Sequence, residues 1–240
     1  MKTFRTSKGT LIQKIAGGRS NVFLVKASRE IFLIDTGPAF MRNQLLKRLQ
    51  KAGIESIDYL ILTHTHFDHA ANASIIKERA GAKVIVHANE AAYLLSGDSP
   101  IPHGSNLFTS WLIKDFGKMV QKQVIYPSCQ ADILVNNEFT FSNHGSNIRI
   151  IHTPGHSSGS MCIIIDNEIA LAGDTLVGTI PGRCFPPFLD DIPELIHSWQ
   201  ELLKTECAIF LPSHGSEVKR EVVAKKLAKE IALQNSFSAR

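Results

Sequence analysis

The chain has 240 residues, of which 44% are hydrophobic and 20% are charged, and its formal net charge at pH 7 is +4. These proportions are ordinary for globular proteins and exclude a disordered, collagen-like or low-complexity chain. Basic residues cluster only in the segment 219–229, where they alternate with glutamate and apolar residues at helical spacing. That pattern predicts a solvated helix face, and we expect no nucleic-acid partner.

The sequence also bears on compartment and redox state. No apolar run approaches the roughly 20 residues of a membrane span, and no signal-peptide pattern follows Met1. The cysteines have no CxxC spacing, so we expect reduced thiols. They are Cys129, Cys162, Cys184 and Cys207. We therefore expect a cytoplasmic protein with no membrane partner.

In chain order, three short runs rich in β-branched residues come first, and helices and strands alternate after them. The predicted strands of this half are 10–16, 21–27, 30–35, 57–62 and 83–87. One helix is predicted to begin near Pro38 and to end at Gly53. A second helix is predicted over 70–80 and ends at Gly81.

The alternation breaks between about 95 and 130, which we interpret as an insertion with an amphipathic helix over 107–120. Strands return at 132–135, 147–152, 161–165, 168–172 and 208–211, with Asp166-Asn167 as a tight turn, and helices are predicted at 193–203 and 216–233. This order predicts an α/β fold of two sheets packed face to face with helices outside. We expect residues 1–240 to form a single domain.

The two halves share a weak internal similarity. Residues 31–37 (IFLIDTG) resemble 169–175 (IALAGDT), and residues 60–66 (LILTHTH) resemble 209–215 (IFLPSHG). In each pair an apolar strand ends in Asp or His. The hypothesis is a duplicated unit whose copies are related by a pseudo-two-fold axis.

The strongest motif is HTHFDH at 64–69, which places three histidines and an aspartate directly after a predicted strand. Chance rarely produces such a cluster, and it indicates a metal site. His64 and His66 can project from one side of an extended segment toward one ion, while Asp68 and His69 can turn toward another. Imidazole and carboxylate without thiolate suit zinc, iron or manganese in a site that keeps an open position for chemistry.

Four residues cannot complete two coordination spheres, so further ligands are expected at other strand ends. Three segments follow predicted strands and carry a ligand type beside small residues: TPGHSSG with His156, GDT with Asp174, and PSHG with His214. Each alone favours a structural turn, but their shared context favours one common site.

These motifs, in this order from the DTG at 35–37 to the terminal helix, resemble those of the metallo-β-lactamase superfamily, in particular its glyoxalase II-like hydrolases. The resemblance implies an αββα sandwich of two mixed β-sheets flanked by helices, with the site at one edge. It implies that the first metal is held by His64, His66 and His156, the second by Asp68, His69 and His214, with Asp174 bridging both. Asp35 matches an aspartate that supports the site without binding metal.

The implied cofactors are two divalent ions, with zinc preferred over iron or manganese. Five imidazoles and two carboxylates neutralise them only partly, so a bridging hydroxide is favoured, because metal binding lowers the pKa of water from about 15.7 to near 7. Such a hydroxide can attack a carbonyl carbon. Asp68, beside the second metal, can then stabilise or protonate the leaving group, which makes it the candidate catalytic residue.

The other histidines are interpreted as surface or supporting residues: His87, His103, His144, His152 and His197. His103, in the insertion, is the one to test for substrate contact. Trp111 and Phe116 are interpreted as packing residues.

Several members of the resembled family fit less well. Metallo-β-lactamases lack an aspartate ligand at the bridging position, and the nucleases bring further domains or an exosite arm that this sequence does not suggest. Only 26 residues follow His214, too few for the extension with which glyoxalase II grips glutathione, and residues 175–178 lack the tyrosine of acyl-homoserine lactonases. Mononuclear iron persulfide dioxygenases need only three of the seven ligands, and a binding module on an inactive fold would have lost some of these ligands. This sequence retains all seven candidates, which favours a dinuclear hydrolase.

We therefore expect a dinuclear metal-dependent hydrolase that cleaves an ester-like acyl bond, a thioester or lactone, of a small molecule. The alternative is a persulfide dioxygenase-like oxidoreductase, followed by a phosphodiesterase or nuclease and a β-lactamase. The insertion at 95–130 and residues 185–188 are expected to set specificity, because loops on a rigid scaffold commonly do so. The expected partner is the small-molecule substrate, and association into a homodimer is left open.

Overall fold

The computed structural model describes residues 2–100, 104, 124–141 and 146–238. Within these ranges the chain forms two β-sheets flanked by helices. The helix predicted at 107–120 lies outside the described residues, together with Trp111, Phe116, His103 and His144. None of the described helices has the length and apolar character needed to cross a membrane.

The first sheet contains seven described strands in their order along the chain. They are β1 (Thr3–Arg5), β2 (Leu11–Ala16), β3 (Val22–Ala27), β4 (Glu30–Ile34), β5 (Tyr59–Ile61), β6 (Lys83–His87) and β7 (Ile133–Val135). β1 to β4 pair antiparallel, and β4 to β7 pair in parallel. The helices of this half are α1 (Arg42–Lys51), α2 (Phe67–Ala70), α3 (Ala73–Ala80) and α4 (Ala91–Ser96).

The second sheet contains six described strands in the order β13-β12-β11-β10-β9-β8. They are β8 (Glu138–Phe141), β9 (Ile148–His152), β10 (Met161–Ile165), β11 (Ile169–Gly173), β12 (Ile209–Pro212) and β13 (Val218–Lys219). Only β11 and β12 pair in parallel, and α5 (Ile192–Lys204) connects them. The terminal helix is α6 (Arg220–Ser238).

The alternation of side chains along each strand produces three apolar layers. In β10, Ile163 and Ile165 face the first sheet, whereas Cys162 and Ile164 face the helices. The space between the second sheet and its helices is filled around Trp199 of α5, which is fully buried. A third apolar cluster lies between the first sheet and helices α1 and α3. The predicted αββα sandwich of two mixed sheets is therefore confirmed.

The helix predicted over 70–80 is wrong at its start, because two helices, α2 and α3, occupy 67–80. The backbone N–H and the hydroxyl of Thr36 both donate to the carbonyl of His69, each at 2.7 Å. Because the carbonyl of His69 accepts from Thr36, it does not accept the next helical hydrogen bond, and α2 ends at Ala70. Four short elements were not predicted from the sequence, and each has at most six residues: β1, β8, β13 and α4.

Candidate metal centre

All predicted ligands come together at one edge of the two sheets, in segments that follow strands. Asp35 follows β4 and His64 follows its parallel neighbour β5, while Asp174 follows β11 and His214 follows its parallel neighbour β12. His156 lies in the turn after β9. Parallel neighbours end at the same edge of a sheet, so these segments converge.

Three imidazoles form a first group. The Nε2 atom of His156 lies 3.2 Å from Nε2 of His64 and 3.0 Å from Nδ1 of His66. All three side chains are buried, and their ligand atoms lie within 4.8 Å of one another. Three buried ring nitrogens that converge in this way have the arrangement of a metal-binding tripod.

Asp68, His69 and His214 form a second group, again within 4.8 Å. Nε2 of His214 is 3.5 Å from Oδ2 of Asp68, and Nε2 of His69 is 3.7 Å from Oδ1 of Asp68. Asp174 lies between the two groups. Its Oδ2 atom is 3.2 Å from Nε2 of His214 and 3.7 Å from Nε2 of His156.

The far nitrogen of each of three imidazoles has a fixed hydrogen-bond acceptor. Nδ1 of His156 donates to the Phe188 carbonyl at 2.9 Å, and Nδ1 of His214 donates to the Arg19 carbonyl at 2.6 Å. Nδ1 of His69 lies 2.9 Å from Oδ2 of Asp35. Because these acceptors hold the proton on Nδ1, the Nε2 lone pairs are directed into the centre.

Asp35 supports this edge from behind the ligands. It is 1% exposed and also accepts hydrogen bonds from the backbone N–H and hydroxyl of Thr63, at 2.8 and 2.9 Å, and from the hydroxyl of Ser213 at 2.9 Å. One carboxylate therefore holds His69 and the residues that immediately precede His64 and His214.

The electrostatics of the site favour a cation. Burial, reinforced by neighbouring imidazoles, lowers the pKa of His64 and His66 well below 6.5, so their lone pairs are available at neutral pH. Burial also lowers the pKa of His69, but the carboxylates, Asp174 foremost, outweigh it and raise this pKa to about 10. Burial would raise the pKa of Asp174, yet the facing imidazoles hold it well below its usual 3.8. Carboxylates that stabilise an imidazolium would also stabilise a divalent cation, which would displace the proton.

Unsatisfied buried atoms provide a direct test of fit. Nε2 of His69 and Oδ1 of Asp174 are buried without a hydrogen-bond partner among the described residues, and they face each other at 3.6 Å. An unpaired buried polar atom costs about 1–3 kcal/mol, and native proteins contain few of them. A cation between these two atoms would satisfy both, so the donor set fits the metal ions that the sequence implies.

Two glycines let these loops approach their neighbours closely. Gly155, before His156, has φ of +125°, and a Cβ there would lie 2.4 Å from the backbone nitrogen of Leu195 in α5. Gly173, before Asp174, has φ of +53°, and a Cβ would lie 2.8 Å from Cβ of Thr63. Larger residues at either position would displace a ligand segment.

The other described histidines lie outside both groups. The rings of His87 and His152 stack with their centroids 3.9 Å apart. Nε2 of His87 donates to the carbonyl of Asn136, and Nε2 of His152 donates to the carbonyl of Ser158. His197 is exposed on α5. Glu90 is a buried acidic residue that accepts hydrogen bonds from the loops carrying His64 and His156. It was not predicted, because a single glutamate after a strand has no distinguishing spacing.

Comparisons with known proteins identify the family. The model of the metallo-β-lactamase superfamily matches residues 15–214, which include every predicted ligand. This chain belongs to the metallo-β-lactamase superfamily. The superfamily includes hydrolases and typically binds metal ions, in keeping with the His and Asp groups described above.

Curated relatives of this superfamily member include an archaeal protein and several fungal ones. A "probable metallo-hydrolase" of Methanocaldococcus jannaschii is 33% identical over 167 residues, which cover 70% of this chain and 72% of that protein. An atrochrysone carboxyl ACP thioesterase of Aspergillus fumigatus is 26% identical over 219 residues, covering 88% of this chain and 55% of that protein. The chain thus spans about half the length of this fungal relative.

Solved structures support the fold. A metallo-β-lactamase superfamily protein of Sulfolobus tokodaii has a TM-score of 0.69 at 20% identity, with 92% of this chain and 86% of that chain covered. A subclass B3 metallo-β-lactamase of Bradyrhizobium japonicum has a TM-score of 0.67 at 15% identity, with coverage of 100% and 95%. At these identities the likeness is one of fold alone.

Proposed function

We propose that this chain is a dinuclear metal-dependent hydrolase that cleaves an ester-like acyl bond, a thioester or a lactone, of a small molecule. The observation that carries the proposal is the position of Asp174, whose carboxylate faces His156 of the first group and His214 of the second. A shared carboxylate between two ligand groups is the arrangement expected of a two-metal site.

The first ion would be held by His64, His66 and His156, and the second by Asp68, His69 and His214, with Asp174 shared between them. Zinc suits these nitrogen and oxygen donors, and iron and manganese also fit them. When bound, such ions activate water as a nucleophile near neutral pH and polarise a carbonyl oxygen.

The protein's own contribution is to orient the ligands and to move a proton. The acceptors behind His69, His156 and His214 fix their rings before substrate arrives. Asp68 is the more exposed of the two carboxylates, at 13% against 9% for Asp174. An oxygen of the Asp68 carboxylate would be the group that takes a proton from the attacking water and passes it to the departing thiolate or alkoxide.

A thioester is the preferred substrate class. A relative named as a carboxyl ACP thioesterase aligns with most of this chain, which favours an acyl thioester over a lactone. The four buried free thiols suit a reducing compartment, and we place the activity in the cytoplasm.

The test is metal analysis of protein purified without added metal, followed by assays on acyl thioesters, lactones, phosphodiesters and glutathione persulfide. Two metals per chain with thioester or lactone hydrolysis is the expected result. One iron per chain with oxygen consumption on the persulfide would overturn the proposal in favour of a dioxygenase. Phosphodiester cleavage without acyl hydrolysis would overturn the substrate class.

A further inference from the structure

Glu90 connects the two loops that carry the first group of imidazoles. It ends a short 3-10 turn, Ala88–Glu90, that follows β6, and it is 1% exposed. Oε2 accepts hydrogen bonds from the backbone N–H of Thr65, at 3.0 Å, and from the Thr65 hydroxyl. Thr65 is the residue between His64 and His66.

The other oxygen of Glu90 reaches the second loop. Oε1 accepts from the hydroxyl of Ser157, at 2.7 Å, and from the backbone N–H of Gly159, at 3.2 Å. Ser157 directly follows His156. One buried carboxylate therefore accepts four hydrogen bonds, two from each loop of the first group.

Close contacts surround the carboxylate of Glu90 and the two loops that it joins. A Cβ at Gly159 would lie 2.4 Å from Cγ of Glu90, so the second loop approaches closely only because it carries glycine there. The hydroxyl of Tyr126 donates to the Thr65 carbonyl at 2.8 Å and holds the first loop from another side. Asn89 donates to the carbonyl of Ser158 at 3.0 Å, which ties the same turn to the second loop again.

We propose that Glu90 is a positioning residue that sets the distance between these two loops, and thereby the affinity of the imidazole group of His64, His66 and His156 for its metal. The proposal rests on the metal-dependent function proposed above. A backbone N–H can only donate, and a carboxylate can accept from both loops at once, whereas a carboxamide can accept through its oxygen alone. The glutamate is therefore needed for its two acceptor oxygens as well as for its length.

The principal test compares metal binding by the wild type with binding by Glu90→Gln and Glu90→Asp. In Glu90→Gln the amide NH₂ faces the backbone N–H of one loop, so that loop loses its anchor while the side-chain volume is kept. In Glu90→Asp the charge is kept, but the side chain is one methylene too short to reach both loops. Competition with a chromogenic chelator should show that one of the two zinc dissociation constants is about 10-fold to 100-fold larger in both variants than in the wild type.

Two further measurements separate positioning from general stability. The absorption spectrum of bound Co²⁺ should change in both variants, because the ligand geometry changes. The melting temperature of the metal-free protein is measured in parallel, since a merely structural role would lower it and leave the zinc dissociation constant of the folded protein unchanged. Glu78→Gln, an exposed substitution on α3, is the matched control and should leave affinity and spectrum unaltered.

The outcomes are distinct. Wild-type zinc affinity and cobalt spectrum in Glu90→Gln, or full affinity in Glu90→Asp, would overturn the positioning role while leaving the metal-dependent function intact. Absence of metal binding by the wild type would overturn both. If Glu90→Gln does not fold, Thr65→Val decides, because it removes only the hydroxyl donor to Oε2 and keeps the charge. Thr65→Val should lower the zinc affinity, and an unchanged affinity would contradict the proposal.

Discussion

Replacing Asp35 by Asn tests whether the support behind the ligands governs metal binding. Asp35 has φ of +59°, a conformation that Asn tolerates as well as Asp, so the backbone gains no strain. Oδ2 accepts from His69, Thr63 and Ser213, whereas the only donor to Oδ1 among the described residues is the backbone N–H of Thr63. The amide will therefore place its oxygen at the Oδ2 position and its NH₂ against the Thr63 N–H.

Two losses follow from that orientation. The buried Thr63 N–H loses its acceptor, which should destabilise the metal-free fold by about 1–3 kcal/mol. The hydrogen bond to Nδ1 of His69 loses its charge, so the ring is a weaker ligand. Removing such a partner typically costs about 10-fold to 100-fold in metal affinity, which corresponds to about 1.4–2.7 kcal/mol. Because His69 belongs to the second group, one of the two metal dissociation constants should change more than the other.

The assay is a chelator competition that yields two successive dissociation constants, with urea unfolding of the metal-free protein alongside. Asp166→Asn is the matched control. Asp166 is also buried with positive φ, and it accepts from the backbone of Asn147 and the hydroxyls of Thr6 and Thr10, away from the site. The Asp166→Asn substitution should destabilise the fold and leave both metal dissociation constants unchanged. Wild-type values of both dissociation constants in Asp35→Asn would contradict this role of Asp35.

Three further predictions concern the same edge and its surroundings. Asp174→Ala should remove most of the second metal and most activity, whereas His69→Ala should spare the first metal more than the second. The metal content after dialysis measures both effects. Two retained metals and full turnover in Asp174→Ala would contradict the shared role of Asp174. Burial lowers the pKa of His87 below 6.5, so the unfolded chain binds a proton that the folded chain resists, and stability is lost as pH falls. Urea unfolding of the metal-free protein from about pH 7.5 to about pH 5.5 should therefore show a smaller loss in His87→Asn than in the wild type. Burial raises the pKa of the Cys162 thiol to about 11, so native protein should resist alkylation there, and rapid labelling detected by peptide mass would count against this environment.

The elements that could be predicted are those in which local pattern and tertiary contacts agree. β10, Met161–Ile165, was predicted with these bounds because an apolar run of five residues ends at Asp166-Asn167. Both residues have positive φ, and with Glu168 they form the three-residue loop between the paired residues Ile165 and Ile169. β13 has only two residues, and its pairing with β12 leaves no periodic signal in so short a segment.

The candidate site also contains residues that could be predicted from the sequence and residues that could not. The grouping of the candidate ligands at one edge could be predicted because histidine and aspartate directly after apolar strands are unusual in themselves. Glu90 and Ser213 could not be, since their importance comes from contacts with Ser157 and Asp35, which lie 67 and 178 residues away along the chain. Spacing in sequence reveals groups that bind one ion together, and it does not reveal the side chains that hold those groups from behind.

The strand pairings give the internal similarity a physical basis. β2, β3 and β4 form an antiparallel meander, and β4 pairs in parallel with β5 across α1; β9, β10 and β11 form the same meander, and β11 pairs in parallel with β12 across α5.

Asp35 and Asp174 follow the third strand of each unit, and His64 and His214 follow the fourth. A parallel pair requires a crossover and brings both strand ends to one edge, so each unit delivers one aspartate and one histidine there. The two aspartates have different roles. Asp35 is hydrogen-bonded to Thr63, His69 and Ser213, whereas Oδ1 of Asp174 has no hydrogen-bond partner among the described residues. Superposition of residues 11–66 on 148–214 by a two-fold rotation tests the duplication hypothesis, and a poor fit of the paired strands would contradict it. Two such units placed face to face bring the candidate ligands of both halves to the proposed two-metal site.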